Sequence, residues 1–230
     1  MKLSRILSNQ NGVSRKQANA LISAAAVTVD GAVCREPARE VDRFSTVACG
    51  GSVIQRGEPA CYLMLHKPAG YLSATADKIH KTVMELIDHS LHNRLHIAGR
   101  LDRASTGLLI LTNDGTWSRR LTKPEIRIPK VYRVSTANAI SPETAARFAE
   151  GIWFEFEQLR TSPAQLELLG AREARITIYE GRYHQVKRMF HAVGNRITAL
   201  HRESMGDIHL DDRLAPGACR QLTETEINSV

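Results

Sequence analysis

The stretch "GRLDRASTGLLILTNDG", residues 99–115, governs how the rest of the chain reads. Its unbroken apolar run at 107–111 has the pattern of a buried strand, and the Asn-Asp-Gly that follows reads as the turn ending it. Just ahead of the strand lies a carboxylate, Asp102, one residue beyond Arg100-Leu101. An aspartate beside a turn is ordinarily a local hydrogen-bonding residue. Whether Asp102 does more depends on the segments around it.

Outward from this strand come further strand-like runs and few helices. "CYLMLHKP" (61–68) is an apolar run stopped by proline, whereas "KVYRVST" (130–136) and "ARITIYEG" (174–181) alternate with period two. One helix is predicted from Ser141-Pro142-Glu143 to Gly151, with proline at its first position, and another from Tyr183 to Val193 ahead of Gly194. Strands separated more often by turns than by helices predict an α+β fold with a mainly antiparallel mixed sheet, rather than a Rossmann-type one. Neither a G-x-G-x-x-G nor a P-loop is present, so nucleotide cofactors lose support.

The start of the chain has a different texture. Leu3, Ile6 and Leu7 share a helical face, Asn11-Gly12 breaks that helix, and Ser14-Arg15-Lys16-Gln17 has capping-box spacing for a second one carrying Ala18, Leu21, Ile22 and Ala25. "VTVDGAVC" (27–34) then reads as a hairpin about Asp30-Gly31. In "GGSVIQRGEP" (50–59), three glycines and a proline suggest a flexible connection. The expected organisation is a small α/β module at 1–57 and a larger domain at 58–230.

Composition limits the partners. A length of 230 residues with 43% hydrophobic side chains supports a packed core. The formal charge of +7 and a pI near 9.5 favour a polyanionic partner. Four cysteines without a C-x-x-C pair or a metal-finger histidine pattern indicate neither zinc nor a disulfide framework. With a polar start and no run of about eighteen apolar residues, the sequence reads as a cytoplasmic protein without a membrane partner.

Four segments combine polar groups with structural punctuation: "LHKPAGYLS" (65–73), "GRLDRASTG" (99–107), "KVYRV" (130–134) and "EGRYHQVKRMF" (180–190). The last places Lys187 one turn after Tyr183 and His184, with Arg188 beside it. A cation near Asp102 would hold the carboxylate ionised, as a nucleophile or base requires.

In this order, the four segments resemble a bacterial rRNA pseudouridine synthase of the RsuA type. "GVSRKQANALI" (12–22) followed by "VTVDG" (27–31) resembles an S4-type RNA-binding module, so the likeness spans essentially the whole chain. The resemblance implies that Asp102 is the catalytic residue in breaking the ribose–N1 bond of a uridine, after which the freed uracil turns and rejoins through C5. It implies no cofactor and no metal. The carboxylate could attack C1′ or remove the C2′ proton, and both routes stay open. Tyr132 corresponds to the tyrosine that stacks on the flipped base, Arg100 to an arginine that extrudes or holds the nucleotide, and Lys187 to the cation paired with the aspartate, where many relatives have arginine. Gly181 and Arg182 would shape the loop presenting the helix. Arg5, Arg15 and Lys16 would contact phosphates through the S4-like module, with Lys67 as a further phosphate contact. The ending at 200–227 and the short length resemble the small-subunit branch. That branch implies a monomer acting on 16S rRNA or an assembly intermediate, at a site of the uridine-516 type.

Three other functions compete with this one. A large-subunit (23S) enzyme of the same superfamily would share every motif. A non-catalytic rRNA-binding or assembly factor would need no carboxylate in an electropositive site. A glycosidase-like hydrolase would want two carboxylates flanking the bond, and Asp102 has no obvious partner for that role in these segments.

Overall fold

The structure, a computed structural model, describes residues 1–230 and divides into two compact units, Met1–Ala60 and Cys61–Val230. The first begins with α1 (Leu3–Ser8) and α2 (Arg15–Ser23), followed by β1 (Val27–Val29), β2 (Ala32–Val33), β3 (Val47–Cys49) and β4 (Ser52–Gln55). The capping box of α2 forms as its spacing predicts: Ser14 Oγ accepts from the Gln17 amide at 3.2 Å, and the Ser14 amide donates to Gln17 Oε1 at 2.8 Å. Asp30 and Gly31 turn the β1–β2 hairpin with φ values of 52° and 81°. Leu3, Ile6, Leu7, Ile22, Val27 and Val47 close a core beneath the four-stranded sheet β2-β1-β3-β4.

One expectation fails in this unit. The glycine-rich segment at 50–59 is not a flexible connection along its length, because Ser52–Gln55 is the edge strand β4, joined to β3 by a turn at Gly50-Gly51. Two glycines in the left-handed region served the hairpin, and composition alone did not separate that use from flexibility.

The second unit is built on one large sheet. Its strands are β5 (Tyr62–Lys67), β6 (His96–Ala98), β7 (Thr106–Thr112), β8 (Lys130–Thr136), β9 (Trp153–Phe154), β10 (Leu159–Arg160), β11 (Gln165–Gly170) and β12 (Glu173–Ile178). The set is completed by β13 (Ile197–Met205), β14 (Ile208–His209) and β15 (Cys219–Gln221). The order β11-β12-β8-β13-β7-β5-β15 is antiparallel except where β13 meets β7; β14 and β6 pair at its margins, and β9 and β10 form a separate hairpin. The helices are α3 (Gly115–Thr122), α4 (Glu143–Glu150), α5 (Gln185–Ala192) and α6 (Glu224–Asn228). No helix is long and apolar enough to cross a membrane.

The run that opened the sequence is the centre of this sheet. Leu109 and Leu111 enter one core with Val134, Ile176, Phe148 and Phe190, while Leu108 and Ile110 enter another with Trp117, Leu121 and Met205. A strand covered on both faces has no solvent side, which explains its lack of alternation. Strand β8, flanked by intermediate and exposed positions, keeps period two.

Two local expectations shift. Asn-Asp-Gly at 113–115 is a helix start instead of a turn: Asp114 accepts from the amides of Thr116 and Trp117 at 2.9 and 3.0 Å and caps α3. Helix α5 begins at Gln185, two residues later than predicted, because His184 adopts a left-handed conformation with φ 50°.

Because Ile110 is fully buried in the core against α3, Ile110→Ala should lower unfolding free energy by about 2–5 kcal/mol, measured as a shift in the urea midpoint at unchanged m-value.

Candidate active site

Asp102 lies on the loop between β6 and β7, which are antiparallel neighbours. The backbone carbonyls of this loop are held one after another. Arg202 of β13, 1% exposed, donates to Gly99 O at 2.8 Å, Arg100 O at 3.4 Å and Leu108 O at 2.8 Å. Ser73 Oγ donates to Leu101 O at 2.7 Å and accepts from the Leu101 amide. Asp102 O accepts from the Ser105 amide at 3.0 Å. Lys67 Nζ closes the far end on Arg103 O and Ser105 O at 3.2 and 2.7 Å, with Pro68 O as third acceptor. Gly107 allows the close β7–β13 approach: with φ 106°, a Cβ there would lie 2.3 Å from Arg202 O.

These contacts correct the sequence-based role of Lys67. It is fully buried with its ammonium spent on three carbonyls, so it is not a phosphate contact but a brace under the Asp102 loop. Burial pulls its pKa down to about 8, with the Asp102 carboxylate opposing that shift.

Helix α5 brings the partners of Asp102. Lys187 Nζ sits 2.7 Å from Oδ2, and His184 Nε2 lies 3.3 Å from Oδ1. One nitrogen therefore lies within ion-pair reach of each carboxylate oxygen. The loop before α5 is fixed by buried Glu180, which accepts from the Ser162 amide, Gln185 Nε2 and Arg182 Nε. Arg188 turns away to pair with Glu157 and stack on Phe154.

A cleft of about 690 Å³ opens over this loop, with Asp102, Tyr132, His184, Lys130 and Arg202 in its walls. Tyr132 is buried on β8 and also lines a smaller recess of about 90 Å³ beside Asp102. Arg100 is exposed at the edge with no ion-pair partner, and Tyr183 is exposed with its ring stacked on His184 at 3.9 Å. Ser105 Oγ, buried in the wall of the smaller recess, has no hydrogen-bond partner. Asp102, Arg100, Tyr132 and Lys187 are thus gathered as the motifs suggested. His184 and Arg202 are further contacts that the four motifs do not mark. His184 could have been found from its place one turn before Lys187, whereas nothing local marks Arg202. Arg5, Arg15 and Lys16 are exposed on the first unit, free of salt bridges.

Residues 61–192 match the RNA pseudouridylate synthase family, and residues 1–47 match the S4 domain. The chain belongs to the RNA pseudouridylate synthase family. It is 52% identical to the ribosomal small subunit pseudouridine synthase A of Pseudomonas aeruginosa over the full length of both chains. With the protein of that name from Escherichia coli K12 it shares 44%, again over both full lengths. A crystal structure of a pseudouridylate synthase superposes with a TM-score of 0.73 at 37% identity, covering 100% of this chain and 99% of the other. The S4 module and the mixed-sheet pseudouridine synthase domain are the fold expected from the motifs.

The buried brace yields a prediction with a defined sign. Because the folded protein gives up the Lys67 proton near pH 8 and the unfolded chain near 10.5, the unfolded state binds more protons between these values, and stability from this group rises with pH there. The gap in unfolding free energy between wild type and Lys67→Met should widen from about pH 8 to 10.5, followed by urea titration at each pH. At pH 7 the variant should lose about 1–3 kcal/mol from carbonyls left without their donor.

Proposed function

We propose that this chain converts one uridine of small-subunit (16S) ribosomal RNA, at a site of the uridine-516 type, into pseudouridine with Asp102 as the catalytic carboxylate. The observation that carries this reading is Asp102 itself: an aspartate on a carbonyl-clamped loop, gripped by Lys187 and His184, opening onto a cleft walled by Tyr132. The two curated relatives, matched end to end and named for the small subunit, support the choice of RNA.

The target uridine must leave its stack, at a cost of a few kcal/mol. Tyr132 offers a ring that returns roughly 1–3 kcal/mol by stacking on the extruded base. Arg100, free at the edge of the cleft, meets the displaced nucleotide backbone. Asp102, faced by Lys187 and His184, either attacks C1′ or takes the C2′ proton as the C1′–N1 bond breaks. The ring turns, and C5 bonds to C1′ as the Asp102–C1′ bond breaks in the first route or as the proton returns to C2′ in the second; the C5 proton then leaves and N1 gains one. Arg5, Arg15 and Lys16 hold RNA phosphates on the S4 module, a sequence-independent grip that depends on salt.

Asp102→Asn, with its fold checked by circular dichroism, should lower the rate on the order of 1,000-fold or more. A pseudouridine map of rRNA from cells whose only copy is Asp102→Asn should lack one 16S site. An undiminished map would refute the role of Asp102, and a gap in 23S rRNA would move the target to the large subunit. Joint replacement of Arg5, Arg15 and Lys16 by alanine should weaken RNA binding and reduce the slope of log K against log salt by about 2 to 3, at unchanged kcat.

A further inference from the structure

Lys130 is a buried cation that nothing above employs. It lies on β8 two residues before Tyr132, so both side chains leave the same face of the strand, about 6.7 Å apart along it. The residue is 7% exposed and stands in the cleft wall beside Tyr132 and Arg202. Its ammonium donates one hydrogen bond to the protein, to Ile128 O at 2.9 Å, leaving two N–H donors without a protein acceptor. Lys67, fully buried, spends its donors on three carbonyls. Burial, helped by the Arg202 guanidinium, lowers the Lys130 pKa to about 8, so the group is mostly charged at neutral pH. A buried ammonium with open donors facing a cleft calls for an oxygen acceptor from the ligand.

We infer that Lys130 is a substrate-contacting residue that donates to a ring carbonyl oxygen of the uracil stacked on Tyr132 and stabilises the ring as an anion while it is detached from ribose. This rests on the reading of Asp102 and Tyr132 given above. When the C1′–N1 bond breaks, its electron pair stays with the ring and spreads from N1 onto O2 and O4. The turn that brings C5 to the place of N1 runs about the N3–C6 axis, and it also exchanges O2 with O4. A fixed donor at that edge therefore meets a carbonyl oxygen before and after the turn. Lys130 keeps its proton throughout; the proton lost from C5 and the one gained at N1 are exchanged elsewhere.

The test is Lys130→Met, with Lys130→Arg beside it, on a 16S rRNA fragment carrying either uridine or 5-fluorouridine at the modified position. Fluorine makes the departing ring anion more stable, so a fluorinated base needs less help from Lys130. Single-turnover consumption of uridine should fall on the order of 100-fold in Lys130→Met, and that of 5-fluorouridine less than about 10-fold. KM should stay near wild type, and Lys130→Arg should recover part of the loss. An equal loss on both bases would mean a merely structural role, and no loss, or a change in KM alone, would overturn the inference. Asp102→Asn run on the same RNAs separates the two claims. If Asp102→Asn is inactive while Lys130→Met behaves as wild type, only the role of Lys130 fails; if Asp102→Asn is fully active, the underlying reading fails.

Discussion

The loop at 99–105 has no regular secondary structure of its own, yet its carbonyls are taken up by Arg202, Ser73, Lys67 and the Ser105 amide. Two of those donors are buried cations, and burying a charge is expensive unless it is fully hydrogen-bonded. The expense is met here by backbone dipoles: a guanidinium reaching three carbonyls from β13 and an ammonium reaching three at the end of β5. Carbonyls suit this task better than carboxylates would. They satisfy the donors without cancelling the charge, so the cations fix the loop and leave positive potential beneath Asp102.

That arrangement also clarifies the pairing of Asp102. An arginine can fork onto both oxygens of a carboxylate, and a lysine cannot. Lysine at 187 leaves one oxygen uncovered, and His184 covers it. It does so because its backbone is left-handed at the entrance to α5, a conformation found in a few per cent of non-glycine residues and enriched in histidine. The same conformation postpones the start of the helix by two residues. The helix boundary misplaced from sequence and the unforeseen contact to Asp102 thus share one cause.

Much of the molecule was legible because its signals are local. The α2 capping box, the Asp30-Gly31 hairpin, the two-sided burial of β7 and the period of β8 each follow from a few adjacent residues. What escaped depends on partners distant in sequence. Arg202 lies 102 residues from the Arg100 carbonyl it binds, and Lys67 lies 38 residues from Ser105. A lysine beside a proline in a polar-looking segment gave no hint that it would be fully enclosed. Asp114 misled for another reason, since the same dipeptide serves a turn and a helix cap, and only the burial of Trp117 one turn later settles which.

The charge balance of the cleft bears on which reaction it suits. Asp102 faces Lys187 and His184, and Lys67, Arg202 and Lys130 add positive charge nearby, partly screened by carbonyls but not neutralised. A hydrolase that builds positive charge on the sugar, and needs a second carboxylate to manage it, would be opposed by such surroundings. A reaction in which a single aspartate meets the ribose carbon while the base departs as an anion gains from them, because the negative charge moves toward the cations as the bond lengthens. An anionic RNA backbone approaching the edge of the cleft gains as well. A transition state with its negative charge on the base side matches the field these residues create, and the placement of the buried cations is a physical reason to favour departure of an anionic base over two-carboxylate hydrolysis of a sugar–oxygen bond.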